Sequence, residues 1–75
     1  MRSSHSLKSK IRVLVADREG IFRLGLKKLF ATEDDLRVVA EADNRAQVLA
    51  RTETFRPDVI FVQEEILAES SSGRK

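Results

Sequence analysis

Two short apolar runs, rich in β-branched residues and each followed by a polar side chain, most constrain what this chain can fold into. The first run is Ile11–Ala16, followed by Asp17, and the second is Val59–Val62, followed by Gln63. Runs of this kind are typical of strands that are buried on both faces of a parallel sheet. Parallel strands need long crossover connections, so the residues between the runs should contain helices.

The first crossover has helical periodicity. Apolar residues recur at helical spacing from Ile21 to Phe30, and Gly25 lies among them. Basic residues fall on or near the opposite face, which predicts an amphipathic helix: Arg23, Lys27 and Lys28. Glycine inside a helix costs about 1 kcal/mol relative to alanine. Close packing of the helix against a strand would explain this glycine, and simple tolerance is the alternative.

A short strand and a second helix follow. Residues 36–40 (Leu-Arg-Val-Val-Ala) predict the strand. Asn44 and Gln47 have the spacing of a capping box and open the helix. Pro57 should end that helix, because the residue before a proline avoids helical dihedrals. Residues 64–68 predict either a loop or a helical turn.

The resulting β-α-β-α-β order predicts an α/β fold of the flavodoxin-like type. We expect a parallel three-stranded half-sheet with helices on both faces. In the strand order 2-1-3, the first and third strands are neighbours, which brings Asp17 and Gln63 to one rim. Ligand sites in such folds lie at the carboxyl ends of the strands. The rim is therefore the place to look for a site.

Composition excludes several classes of protein. The chain has 75 residues, enough for one small domain, with 41% apolar and 35% charged residues, as in a globular protein. It has no cysteine, so no disulfide framework or thiolate metal site is expected, and a reducing cytoplasm fits. The apolar runs are far shorter than the roughly 20 residues that span a bilayer. We expect a cytoplasmic protein without a membrane segment.

The positive charge is concentrated at the two ends of the chain. Residues 13–69 contain eight basic and all 12 acidic side chains, and so carry a net charge of −4. Direct nucleic-acid binding is not expected, because it needs a basic stripe on a folded element. We expect residues 1–10 to form a flexible tail that is basic and rich in serine. We expect residues 68–75 to form a disordered tail. His5, the single histidine, has no partner group that would suggest catalysis or metal binding.

Two segments resemble the opening of receiver domains in the NarL/FixJ subfamily of response regulators. They are residues 11–17 (Ile-Arg-Val-Leu-Val-Ala-Asp) and the motif Phe22-Arg23-x-Gly25-Leu26. Residues 38–42 and 56–60 continue that pattern without a gap. The similarity covers roughly residues 11–63. It implies a receiver-like domain over residues 11–67, truncated after its third strand, and a role in two-component phosphorelay signal transduction.

The family's chemistry uses three carboxylates that hold one Mg²⁺, two after strand one and the phosphoacceptor aspartate at the end of strand three. Asp17 matches the first position, Arg18 occupies the second and Gln63 occupies the acceptor position. Glutamine cannot form an acyl phosphate, so we expect no phosphorylation there, no metal or other cofactor and no enzyme activity. Arg18 could replace the metal's charge while Gln63 bridges to Asp17. The alternative is a decayed site whose side chains face water.

Two acidic residues after Gln63 could be proposed as substitute acceptors or metal ligands, Glu64 and Glu65. Adjacent residues at a strand end point in different directions, so at most one could face the rim. An acidic surface loop is the simpler interpretation.

The resemblance also implies two further strands that these 75 residues do not contain. Strand three would then have an unpaired edge, and each sheet face would have one helix for three strands. We expect a protein partner or a homo-oligomer to cover this edge and the open apolar face. The alternative function is an inactive amino-terminal fragment of a response-regulator transcription factor.

Overall fold

A three-stranded parallel sheet organises residues 10–69, the part of the chain that the computed structural model describes. The elements are the strands β1 (Ile11–Ala16), β2 (Leu36–Ala42) and β3 (Val59–Val62), and the helices α1 (Gly20–Ala31), α2 (Arg45–Phe55) and α3 (Glu64–Leu67). The strand order is β2-β1-β3, and both pairings are parallel. The predicted half-sheet and its 2-1-3 order are confirmed.

The core is centred on β1. Its residues from Val13 to Ala16 are buried, because a neighbouring strand pairs along each edge and helices cover the faces. Leu14 and Ala16 form one cluster with Ala42 of β2 and Ile66 of α3. The short helix α3 therefore contributes a core side chain.

The two long helices lie on opposite faces of the sheet. Val48 of α2 and Val62 of β3 both pack against the cluster around Leu14. Phe30 of α1 meets Phe61 edge-to-face, with ring centroids 5.3 Å apart and an interplanar angle of 86°. Phe61 and Val62 are adjacent in a strand, so their side chains point to opposite faces. Helices on both faces, as predicted, are confirmed.

The predicted ends of α2 are confirmed in the structure. Asn44 Oδ1 accepts a hydrogen bond from the backbone N–H of Gln47 at 2.8 Å, which caps the helix. Gln47 Oε1 accepts from the backbone N–H of Asp43, one residue before the expected partner. The helix ends at Arg56, whose φ of 50° is left-handed, immediately before Pro57.

Strand β2 is two residues longer than predicted. Glu41 and Ala42 continue the parallel pairing opposite Val15 and Ala16. The backbone N–H of Asp17 then donates to the carbonyl of Ala42 at 3.0 Å. The extension brings the end of β2 level with the rim at which β1 ends.

Helix α1 packs on a different side from the one that its sequence predicted. Arg23 and Lys27, expected on or near the solvent face, both contact Glu41 on β2: Arg23 Nε to Oε1 at 3.0 Å and Lys27 Nζ to Oε2 at 2.7 Å. The hydrogen bond from Lys27 lowers the pKa of the Glu41 carboxyl below its usual value; desolvation opposes this effect, and Arg23 adds to it. Four apolar side chains of α1 are exposed instead: Ile21, Phe22, Leu24 and Leu29. The amphipathic orientation predicted for them is wrong, because Glu41 gives the cations a partner on the sheet.

Gly25 does not pack closely against a strand. A Cβ built at this position would meet no heavy atom within 4 Å in the described part of the chain. Close packing, one of the two explanations for this glycine, is therefore wrong within residues 10–69.

The terminal segments are described only in part. Residues 1–9, which include His5, and residues 70–75 lie outside the described residues, so the predicted tails cannot be compared there. Glu69, which the prediction counted with the second tail, accepts a hydrogen bond through Oε1 from the backbone N–H of Arg45 at 2.9 Å. It thus connects the end of α3 to the start of α2.

Candidate functional site

The carboxyl ends of β1 and β3 lie side by side and bring the three site candidates to one rim. The backbone N–H of Gln63 donates to the carbonyl of Ala16 at 2.8 Å, which fixes Gln63 beside the end of β1. Its side-chain Oε1 accepts from the backbone N–H of Arg18 at 2.9 Å. The glutamine side chain therefore connects the loop after β1 to the end of β3.

Gln63 bridges to the backbone of Arg18 and not to Asp17, the partner in one of the two arrangements considered for this rim. Asp17 Oδ1 instead accepts from the backbone N–H of Glu19 at 2.9 Å, two residues along the chain. Aspartate commonly bonds to a backbone N–H two residues ahead, and this local contact competes with a longer bridge. Among residues 10–69, no hydrogen bond joins the side chains of Asp17 and Gln63.

Both polar atoms of the Gln63 side-chain amide, Oε1 and Nε2, form hydrogen bonds. Its Nε2 donates to Glu65 Oε1 at 3.1 Å, while its Oε1 accepts from Arg18. Glu64 and Glu65 are both exposed, and of the two only Glu65 has a hydrogen bond to Gln63 among the described residues. An amide can serve as donor and acceptor at once, which a carboxylate in this position could not do.

Arg23 takes part in the site, although the sequence analysis placed it only in the motif of the resemblance and on the polar side of the first helix. Its Nη1 donates to the carbonyl of Asp17 at 2.6 Å, and its Nε contacts Glu41. The guanidinium of Arg18 forms no ion pair within the described part of the chain. The cation beside Asp17 is therefore Arg23, which binds its backbone, and not Arg18.

A Mg²⁺ ion of the kind that the resemblance implies does not fit these residues. Mg²⁺ prefers an octahedron of hard oxygens, usually with more than one carboxylate. Between residues 10 and 69, no group of three or more histidine, cysteine, aspartate or glutamate side chains is placed to hold a metal. At the rim, Asp17 bonds to its own loop and the Gln63 oxygen is used by Arg18. What the arrangement can do is hold two loops together.

None of the helices in residues 10–69 is both long and apolar enough to span a membrane.

No family model matches the chain. Two curated proteins show what it is similar to. The transcriptional regulatory protein YhcZ of Bacillus subtilis is 35% identical over 52 residues, which is 69% of this chain and 24% of that protein. A protein-glutamate methylesterase/protein-glutamine glutaminase of Alkalilimnicola ehrlichii is 37% identical over 57 residues, which is 76% of this chain and 15% of that enzyme. The chain thus spans a quarter or less of the length of these relatives.

A solved structure of a response-regulator receiver domain is also similar to this chain. The signal receiver domain of the response regulator NarL from Mycobacterium tuberculosis superposes with a TM-score of 0.69 and 33% identity. The match covers 72% of this chain and 44% of that one. By sequence and by fold, the chain therefore matches the amino-terminal part of a response-regulator receiver domain.

Proposed function

We propose that this chain is a receiver-related module of two-component phosphorelay signalling that is not phosphorylated at the usual position and acts through protein–protein contacts. One observation supports this most: the residue that directly follows β3 is Gln63, whose amide oxygen accepts a hydrogen bond from the backbone N–H of Arg18. A primary amide has no oxygen nucleophile that could take a phosphoryl group and form an acyl phosphate. The rim serves as a structural connection between loops.

The neighbouring residues support the same proposal. Arg18 occupies the second acidic position of the resembled motif, and a guanidinium there repels a divalent cation. Asp17, Arg18 and Gln63 thus form a pseudo-site without catalysis, metal or other cofactor. Although protein-glutamate methylesterases are among the similar proteins, the match covers 15% of one and 17% of another. We propose that the present chain is not an enzyme.

Protein contacts are supported by the surface around β3. All four residues of this strand are apolar, and Val59, Ile60 and Phe61 are exposed. Edge strands that remain unpaired in solution usually carry charges, prolines or bulges, and β3 has neither charge nor proline. A protein partner or a second copy would cover the edge and the adjacent apolar face. Direct contact with nucleic acid is not proposed, since residues 13–69 are acidic.

The compartment proposed for this module is the cytoplasm. The sequence contains no cysteine, and so no structural element of it depends on an oxidising environment.

The alternative is an inactive amino-terminal fragment of a response-regulator transcription factor. It is favoured by the small share of each relative that the chain covers, 24% for YhcZ. Amide NMR separates the two functions: an independent module gives dispersed signals and a defined mass in solution, whereas an incomplete fragment gives the collapsed spectrum of a molten state. A collapsed spectrum would contradict the module.

The phosphorylation claim is tested with a small-molecule phosphodonor, Mg²⁺ and intact-mass measurement. We expect no phosphate on the chain as it stands and none on Gln63→Asp, because Arg18 still replaces the second carboxylate. The double variant Arg18→Asp/Gln63→Asp has all three carboxylates and should bind Mg²⁺ at least about tenfold more tightly than Gln63→Asp alone. Phosphate on the unsubstituted chain, or efficient phosphorylation of the single variant, would overturn the proposal.

A further inference from the structure

A small polar cavity lies near the start of helices α1 and α2, beside the carboxyl end of β2. Its volume is about 220 Å³, and six residues line it: Arg23, Glu41, Ala42, Asp43, Gln47 and Arg51. A cavity needs only about 15 Å³ to hold one water molecule, so this one has room for a small ligand. None of Asp17, Arg18 and Gln63 is among the lining residues, so the cavity is a separate place on the described part of the chain.

Two arginines from different helices line this cavity, and a backbone carbonyl holds each of them. Arg51 of α2 donates through Nε to the carbonyl of Glu41 at 2.9 Å. Arg23 of α1 donates through Nη1 to the carbonyl of Asp17 at 2.6 Å. Both arginines are partly buried. The guanidinium groups are therefore placed before any ligand arrives, which lowers the entropy cost of binding.

Arg51 has no carboxylate partner in the described part of the chain. Arg23 forms an ion pair with Glu41, whereas Arg51 forms none with any acidic side chain of residues 10–69. Its hydrogen bond within these residues uses Nε, which leaves Nη1 and Nη2 free. Asp43 lines the same cavity, but its Oδ1 accepts from Asn44 Nδ2 at 3.0 Å. Because charges that lose contact with water are normally paired, Arg51 is suited to bind an external anion.

The two helix ends add to the positive potential of the cavity. Arg23 lies in the first turn of α1, and Gln47 lies in the first turn of α2. The first turn of a helix carries a partial positive charge that favours anions. Neither first turn contains an acidic residue that would offset this charge. Both helices therefore favour a negatively charged ligand here.

We propose that this cavity binds the carboxylate group of a small molecule, with the guanidinium of Arg51 as its main anchor. A guanidinium presents its N–H groups as a planar fork that matches the two oxygens of a carboxylate. The charged groups of the cavity, with the lysine bonded to Glu41, are three cations (Arg23, Lys27 and Arg51) and two carboxylates (Glu41 and Asp43). A monoanion neutralises this cluster, whereas a phosphate dianion would leave an excess negative charge. The proposal does not depend on the protein contacts proposed above.

NMR of the full 75-residue chain tests the binding, with sodium acetate as the probe and sodium chloride at equal ionic strength as the blank. We expect saturable shifts of the Asp43 amide and the Arg51 Nε–H signals, with a dissociation constant of about 10 mM or less. Arg51→Gln should raise this constant at least about fivefold. Arg51→Lys keeps the charge but loses the planar fork, so it should restore binding only in part.

The matched control is Arg37→Gln, which removes the same charge from an exposed arginine outside the cavity. Arg37 precedes Glu41 by four residues, which is about 13 Å along β2. At that distance salt screens most of its charge, so the dissociation constant should stay within about twofold.

A second variant tests the charge count without removing an arginine. Asp43→Asn keeps an oxygen that can accept from Asn44 and removes one negative charge from the cavity wall. It should tighten acetate binding at least about twofold, and it should tighten the binding of phosphate dianion by a larger factor. Dispersed amide signals in each variant show that the fold is retained.

Three results would overturn the proposal. In the unsubstituted chain, tighter binding of phosphate dianion than of acetate would contradict a carboxylate ligand. Equal shifts with acetate and chloride, or unchanged acetate binding in Arg51→Gln, would contradict the site itself. A collapsed amide spectrum would do the same, because the cavity needs both helices in place.

Discussion

Strands β1 and β3 have nearly the same kind of sequence and very different surroundings. Leu14 of β1 is paired in register with Ile60 of β3, yet their exposed fractions are 0% and 38%. Val15 is paired with Phe61, and these fractions are 0% and 49%. Within residues 10–69, β1 has a strand on each side, whereas β3 has one only on the side of β1. Position in the sheet, and not apolar composition, therefore decides which run becomes the core.

The largest expected effect comes from truncating the register partners Leu14 and Ile60. Leu14→Ala should lower the free energy of unfolding by about 2–5 kcal/mol, since it leaves a cavity in the buried cluster. Ile60→Ala should cost about 1 kcal/mol, because its side chain is already partly in water. Urea titration at low temperature gives both values. Equal losses would show that β3 is as well packed as β1.

Replacing a valine by threonine tests the same difference in burial between β1 and β3, because it adds a hydroxyl group with little change in side-chain volume. Val15→Thr should lower stability by about 1–3 kcal/mol, because the buried hydroxyl loses its hydrogen bonds to water. Val59→Thr should change it by no more than about 0.5 kcal/mol, since Val59 is exposed. The measurement is again denaturant unfolding. If Val59→Thr were the more costly change, the edge of β3 would be covered in solution.

The strands are joined at their carboxyl ends by Gln63, and removing its amide should loosen that end. Gln63→Leu abolishes the acceptor for the Arg18 N–H, a contact worth about 0.5–1.5 kcal/mol. Gln63→Glu keeps an oxygen in place and is the matched control. Hydrogen exchange of the Arg18 amide should accelerate in the first variant and less in the second. Unchanged exchange in Gln63→Leu would mean that the side chain does not hold the loop.

The smallest effect concerns the third strand, β2, where Glu41 holds α1. Its pKa is lowered in the folded chain, chiefly by the hydrogen bond from Lys27, from a usual value of 4.5. The stabilisation is thus fully present above about pH 4.5 and is lost as the pH falls through the lower folded value. Because the pair is partly exposed, the loss should be about 0.2–1 kcal/mol. Glu41→Gln should flatten this part of the stability curve; an unchanged curve would contradict the assignment.

Much of the architecture could be predicted from the sequence because its signals are local. The apolar runs locate the strands, Asn44 caps α2, and Pro57 with the left-handed Arg56 ends it. Topology then brings Asp17 and Gln63 to one rim. These signals need no knowledge of distant contacts.

What could not be predicted depends on partners that are remote in the sequence. Helical periodicity identifies a helix but not the side that faces the sheet, and for α1 that side is set by Glu41, 18 residues after Arg23. In the bridged arrangement considered for the rim, the partner of Gln63 was misplaced by one residue, because a turn gave Asp17 a nearer donor in Glu19. Ile66 in the short α3 carried no periodic signal, although it completes the core.

The central claim is that the chain has a receiver-like fold but is not phosphorylated at the acceptor position, which Gln63 occupies. Amide NMR with beryllofluoride and Mg²⁺ tests this claim most directly. Beryllofluoride mimics a phosphoryl group on an aspartate that is supported by a bound metal. The account predicts that the signals of Asp17, Arg18 and Gln63 keep their positions when both reagents are added. A shift centred on Asp17 would contradict it.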